Sequence, residues 1–242
     1  MKAIVKLLIT TTLFISSNAF ALKSPFLSSI NELTTPNSHF VDTEARVIRS
    51  STPKKLGIKE LKDFDVEQII IFKKQTRKEV DKEIKELKAI GYKSSQIHHI
   101  PFRWKGFESR QVACEQTIQA LKIIQAQRAK ANGKVFFHCT VGEDRTGHLA
   151  GIFRMLDQGY TRDQAFTEEM CENGYGRGNP KKPWKVYGSI RKELTPLFQY
   201  MASLVEDGLI DLNNLDESVC ADQREVLEAT PKCQHSSKYP RP

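Results

Sequence analysis

Beyond an apolar run near the start, the chain contains no stretch of about 20 apolar residues, the length a helix needs to cross a bilayer. Stable membrane insertion is therefore not expected. Cys-x-x-Cys pairs, internal repeats and low-complexity tracts are absent as well, which excludes the common thioredoxin-like, zinc-ribbon and solenoid arrangements. His98-His99 would point to opposite faces of a strand and makes a poor metal site, so no metal is expected. Acidic residues are the scarcer charge, 29 against 37 Lys and Arg, which leaves +8 and suggests anionic partners. The lysines are scattered and the aromatics fall mostly at core positions, so nucleic acid is not the expected one.

What is present describes a globular protein. Hydrophobic residues make up 39% and charged residues 27% of 242 residues. At about 100–200 residues per domain this is one domain, or one with a small appendage. Lys2 and Lys6 precede an apolar run from Leu7 to Ile15, and Ala19-Phe20-Ala21 follows as a small-x-small cleavage pattern. Residues 1–21 read as a secretory signal, and the mature protein as exported, to a periplasm or beyond. Its removal takes away two lysines and no acid, so the charge falls from +8 to +6. The chain has five cysteines, Cys114, Cys139, Cys171, Cys220 and Cys233, an odd number that leaves at least one thiol free or paired between molecules. The four other than Cys139 allow three pairings, of which Cys220 with Cys233 is the most local, and unpaired thiols are nearly as good a reading. A monomer is the expected state.

Residues 22–40 form an extended lead-in rich in Ser, Thr, Asn and Pro. The ordered domain spans 41–210, and 211–242, poor in large apolar residues, forms a peripheral tail. Gln68–Phe72, Ile97–Pro101 and Lys134–His138 read as strands, the first and last as runs buried on both faces. Helical spacing of Val80, Ile84, Leu87 and Ile90 marks a helix over 76–90. Further helices are expected over 109–131, 146–158, 162–172 and about 186–204. The alternation predicts an α/β fold, a central mixed or parallel sheet with helices on both faces, and ligands gathered at the carboxyl ends of its strands.

One segment carries chemistry. His138-Cys139-Thr140-Val141-Gly142-Glu143-Asp144-Arg145-Thr146-Gly147 lies where a buried strand meets a helix. Five residues between Cys139 and Arg145 can curl so that the N–H groups of Thr140 to Arg145 point inward, with Gly142 supplying the conformational freedom. The helix N-terminus adds its positive end, and Arg145 offers a bidentate clamp for two phosphate oxygens. The same field lowers a thiol from about 8.5 toward or below 7, so Cys139 should be a thiolate facing the bound anion.

These residues resemble the signature of the cysteine-dependent protein tyrosine phosphatase superfamily, H-C-x-x-G-x-x-R-S/T-G, in its dual-specificity branch. Arg46 to Pro53 with Leu56-Gly57-Ile58 is similar to the family's Y-R-S-x-x-P region, and Ala165, Glu169 and Met170 to its A…E-M helix, so about 40–174 is covered. The resemblance implies that Cys139 attacks phosphorus and becomes a phosphocysteine, that Arg145 binds phosphate and stabilises the transition state, that Thr146 hydrogen-bonds the sulfur and that His138 braces the loop. No cofactor is implied, because the loop itself neutralises charge. One departure concerns the general acid. The family's aspartate after an Ile-Pro pair is absent, since Ile100-Pro101 continues as Phe102-Arg103-Trp104. Asp144 is the preferred substitute, as in bacterial relatives with Gly-Lys-Asp-Arg, although Glu143 here replaces the lysine. Glu108 is the alternative.

For substrate, a rim that includes Arg49, Arg103, Lys105 and Lys181, with Lys54, Lys55, Lys73, Lys74, Arg77, Arg177 and Lys182 in similar loops, suits a multiply phosphorylated small molecule. Exported bacterial relatives resembling phytases, which act on inositol polyphosphates, fit the signal and the charge. A tyrosine or dual-specificity phosphatase acting on phosphoproteins is the alternative. From other classes, a non-catalytic phospho-ligand-binding module would use the same loop. A sulfur-transfer enzyme would too, but Arg145-Thr146 at this spacing favours phosphoryl chemistry.

Overall fold

The structure, a computed structural model, describes residues 33–106, 109–222, 224 and 233. The expected signal therefore lies outside the described residues, as does Glu108. Five strands, β1 (His39–Phe40), β2 (Val47–Ser50), β3 (Val66–Ile71), β4 (Ile97–His99) and β5 (Lys134–His138), form one sheet in the order β1-β2-β5-β3-β4. β1 pairs antiparallel with β2, and every other pairing is parallel. β5 is thus central, and its carboxyl end opens directly into the Cys139 segment.

Alternation along the strands divides the core. Val47, Ile70, Phe72, Val135 and Phe137 face α3 (Ser109–Arg128), α4 (Asp144–Gln158) and α7 (Thr195–Glu206). Ile48, Ile69, Ile71 and Phe136 face α1 (Lys55–Asp63) and α2 (Glu79–Ala89). Both sheet faces are covered, so the central strands carry near-continuous apolar runs. The two-residue period also sends His138 to the α2 side, with Phe136.

Several elements differ from their sequence reading. α2 begins at Glu79 because Arg77 and Lys78 adopt left-handed φ values of 46° and 61°. The helix expected over 162–172 is a short α5 (Arg162–Ala165) continued by a wider π-helical turn, Phe166–Met170. The one expected over 186–204 is α6 (Trp184–Ser189), another π-helical turn over Ile190–Leu194, and α7. β1, β2 and α1 had no clear signal. β2 is buried throughout, yet Arg49 and Ser50 interrupt its apolar pattern.

The cysteines also pair differently from the local expectation. Cys114 of α3 bonds Cys220, and Cys171 bonds Cys233, while Cys139 is free. The local Cys220–Cys233 bridge does not form, because Cys220 is buried against α3 and Cys171 lies on the segment after the π-helical turn. The region expected to be a peripheral tail is thus tethered to the core at two points. The bridges span 106 and 62 residues of sequence. Loops of that size should contribute about 2–5 kcal/mol each through the unfolded state. Replacing either pair by alanine is therefore expected to lower the free energy of unfolding by about 2–5 kcal/mol, read from urea denaturation. An unchanged midpoint would show that the bridge does not constrain the chain.

Candidate active site

The loop after β5 owes its shape to what its carbonyl oxygens meet. Thr52 donates its hydroxyl to the Cys139 carbonyl (2.8 Å) and its N–H to that of Thr140 (3.2 Å). The Asn37 amide donates to the Val141 carbonyl (2.5 Å), and the Arg49 guanidinium to that of Gly142 (2.7 Å). In a trans peptide N–H and C=O point in opposite directions, so four successive carbonyls held from outside turn the N–H groups of residues 140–143 inward. That is the inward-facing N–H geometry expected from the spacing, one suited to an anion. Gly142 is required for it. Its φ is 72°, and a Cβ there would lie 2.6 Å from the Ser51 nitrogen and 2.7 Å from the Ser50 carbonyl.

Cys139 is buried at the base of the loop. Burial pushes its thiol up, but the Arg145 guanidinium, the hydroxyl and N–H of Thr146 and the Gly142 N–H outweigh that, and the net shift is below the ordinary thiol value. Arg145 also donates to the Thr140 hydroxyl (2.9 Å), which fixes its side chain across the loop.

Two buried ionic networks hold the loop from behind. On the α2 side, His138 Nδ1 lies 3.0 Å from the Cys139 carbonyl and Nε2 lies 2.6 Å from Glu83. Lys73 joins Glu83 (3.3 Å) to the Thr52 hydroxyl (2.9 Å). Burial raises Glu83, but His138 and Lys73 more than offset it and hold the carboxyl below its usual range. On the other side, Glu169 from the π-helical turn contacts Arg49 (3.0 Å), Arg154 (2.7 Å) and His39 (3.1 Å). The Glu169 carbonyl also accepts from Arg49. Desolvation works against the Glu169 carboxylate, and its three basic neighbours outweigh it, so its pKa is strongly depressed.

The structure brings Cys139, Thr140, Val141, Gly142, Glu143, Asp144, Arg145 and Thr146 together in one loop and helix start, with His138 beneath. Asp144 is held by the Gly176 N–H (3.0 Å) and by Lys182, and its carboxyl is raised above the ordinary value chiefly by burial. The rim reading needs correction. Arg49 is wholly buried and braces the loop, because the β2 register points it inward, and Lys73 and Lys182 are buried in ion pairs. Arg103, Lys105 and Lys181 are exposed, with Lys105 lying over the Trp104 ring. Asn37, Thr52, Glu83, Glu169 and Lys182 were not anticipated as partners of the loop. Only Thr52 and Glu169 lay within segments that the family resemblance singled out. Two cavities lie elsewhere, one between Trp104 and Pro196 and one near Arg46 and Gly133. Among the described residues no group of His, Cys, Asp and Glu is arranged to hold a metal ion, and no helix is long and apolar enough to cross a membrane.

No family model matches the chain. A stretch of 63 residues, 26% of this chain, is 42% identical to the dual specificity protein phosphatase TpbA of Pseudomonas aeruginosa. Over that stretch the chain is similar to a dual specificity phosphatase. The match spans 28% of TpbA, so little more than a quarter of that relative's length is covered. Among solved structures, P. aeruginosa TpbA is 19% identical and superposes with a TM-score of 0.43, covering 77% of this chain and 92% of that one. The core catalytic domain of the PP-IP phosphatase SIW14 from S. cerevisiae is 19% identical with a TM-score of 0.48, over 77% and 93% of the two chains. A DUF442 protein from Shewanella putrefaciens CN-32 is 15% identical with a TM-score of 0.49, over 72% and 91%.

The Glu169 cluster offers a direct test of the bracing. Glu169→Gln should cost roughly 3–5 kcal/mol at pH 7, because it leaves two guanidinium groups buried without their carboxylate. A depressed carboxyl contributes stability above its ordinary value of 4.5, and that contribution is lost as pH falls. The gap between wild type and Glu169→Gln should therefore narrow as the pH drops below 4.5, measured by urea unfolding at a series of pH values. A constant gap would mean that the carboxylate charge is not what holds the cluster.

Proposed function

We propose that the protein is an exported phosphatase that hydrolyses phosphate monoesters through a phosphocysteine intermediate. The observation that carries this reading is the loop itself: a thiol of lowered pKa faces inward N–H groups, with Arg145 fixed across the opening. The similarity to a dual specificity phosphatase over the matched stretch supports it. Export is supported by two disulfides, which persist in oxidising compartments.

In this reading the Cys139 thiolate attacks phosphorus, the P–S bond forms and the ester P–O bond breaks. The leaving oxygen takes a proton from Asp144, whose raised carboxyl suits an acid that must still hold one. Arg145 and the loop N–H groups stabilise the equatorial oxygens. Water then attacks phosphorus, giving its proton to the Asp144 carboxylate. The P–S bond breaks and the thiolate departs, eased by the Thr146 hydroxyl.

Two substrate classes follow from different observations. Val141, within the loop, is 48% exposed, and Trp184, stacked with Arg177 next to the segment that holds Asp144, is 69% exposed. The exposed apolar Val141 on the loop suits an aromatic leaving group and supports a tyrosine or dual-specificity phosphatase acting on phosphoproteins. Exposed Arg103, Lys105 and Lys181 support the phytase-like reading on inositol polyphosphates, although that rim lacks the buried Arg49, Lys73 and Lys182.

Cys139→Ser and Arg145→Met are each expected to lower kcat by at least 10³-fold, on the order reported for loss of one essential catalytic group. Folded Cys139→Ser protein that binds substrate as wild type does, while wild type shows no turnover, would instead identify a binding module. Asp144→Asn should abolish the alkaline limb of the pH–rate profile, while Glu108→Gln should keep it, and the reverse result would make Glu108 the acid. Initial rates on a phosphotyrosine peptide and on inositol hexakisphosphate separate the substrate classes. A preference for the inositol phosphate would overturn the phosphoprotein reading.

A further inference from the structure

Glu143 and Asp144 place two carboxylates in a loop built to receive a dianion, an arrangement that needs an explanation on electrostatic grounds alone. A single short segment meets both of them. Lys182 Nζ lies 3.0 Å from Glu143 and also contacts Asp144. The Asn179 amide donates to Glu143 (3.0 Å), and the Gly176 N–H donates to Asp144 (3.0 Å). Lys182 is itself 8% exposed, an unusual cost for an ammonium group unless its partners are fixed. The segment is also firmly seated. Gly178 packs so closely on the Cys171 backbone that a Cβ would fall 2.3 Å from its carbonyl oxygen, and Cys171 is disulfide-bonded to Cys233.

We infer that Lys182 is a positioning residue of the phosphate loop, a cation supplied from outside the loop that holds the Glu143 and Asp144 carboxylates on the Gly176–Lys182 side and offsets their charge. The inference rests on the phosphate-binding reading of the loop, but not on turnover. Glu143 and Lys182 then act as one unit, with an acid inside the loop and its counter-charge 39 positions later in the chain. Without Lys182, the Glu143 carboxylate, joined by Asp144 whenever that group is ionised, would stand against the incoming dianion at close range, where the lower effective dielectric makes one unit charge worth roughly tenfold or more in affinity.

The test is a charge cycle on the full mature chain, comparing wild type, Lys182→Met, Lys182→Arg, Glu143→Gln and the double variant Lys182→Met/Glu143→Gln. Binding of inorganic phosphate is read by calorimetry, with thermal unfolding measured alongside. Lys182→Met is expected to weaken phosphate about tenfold or more. Lys182→Arg should stay within about threefold of wild type, and the double variant should recover most of the loss because the uncompensated acid is gone. A merely structural lysine would not be rescued by removing a second charge. Lys182→Met binding within twofold of wild type, or a double variant no better than Lys182→Met, would overturn the inference. Phosphate binding that follows the cycle in a wild type without ester turnover would leave the role of Lys182 standing and overturn the phosphatase reading instead.

Discussion

The constraint on which the site depends is the direction of four carbonyl groups. Residues 139–142 turn their oxygens outward to Thr52, Asn37 and Arg49, and the trans peptide geometry then points the N–H groups inward. A loop of bare N–H donors would be costly to hold together without this, because each unsatisfied buried carbonyl costs roughly 1–3 kcal/mol. The anion cradle is therefore specified less by the loop than by β2, the residues after it and the lead-in, which supply the outside donors. The parallel pairing of β2 with β5, in which Ser50 lies opposite His138, brings those donors into position.

Behind this ring the protein places charge where apolar packing would be cheaper. Arg49, Glu169, Lys73 and Glu83 are all buried, and exchanging such pairs for apolar residues is often neutral or stabilising in other proteins. Their value here is directional. A guanidinium can at once accept its position from the Glu169 carboxylate and donate to the Gly142 carbonyl, which no aliphatic side chain can do. His138 works the same way between Glu83 and the Cys139 carbonyl. The networks convert helix positions on both sides of the sheet into the fixed shape of one loop.

How much of this was legible in the sequence depends on range. The strands with unbroken apolar runs, β3 and β5, and the helix α2 with its regular spacing, were visible because local patterning decides them. The loop was visible because its function requires particular residue types at fixed intervals. β2 was not, because a buried arginine breaks the apolar pattern that identifies a strand. The π-helical turns at Phe166–Met170 and Ile190–Leu194 could not be seen either, since helical spacing does not mark where the pitch widens. The disulfides misled the local reading for a related reason: sequence proximity favoured Cys220 with Cys233, but three-dimensional packing placed Cys220 against α3 and Cys171 near the tail. For the same reason Asn37 and Glu83 carried no signal, being ordinary polar residues far from the loop in sequence, and Lys182 read only as one more basic residue of the rim.

The charge balance shows the same limit most sharply. An excess of basic residues reads naturally as a surface that attracts anions, and some of it, such as Arg103, Lys105 and Lys181, is exposed. Yet Arg49, Arg154, Lys73 and Lys182 lie inside, each against a carboxylate, so they contribute almost nothing to a long-range field. In the proposed phosphate site, the short-range attraction falls instead to the uncharged part of the chain, the inward N–H groups and the helix start, together with Arg145. A net charge counts side chains, whereas the loop works through backbone dipoles whose orientation the side chains enforce. The buried basic residues near this loop therefore act mainly on its geometry, while Val141 within it stays exposed.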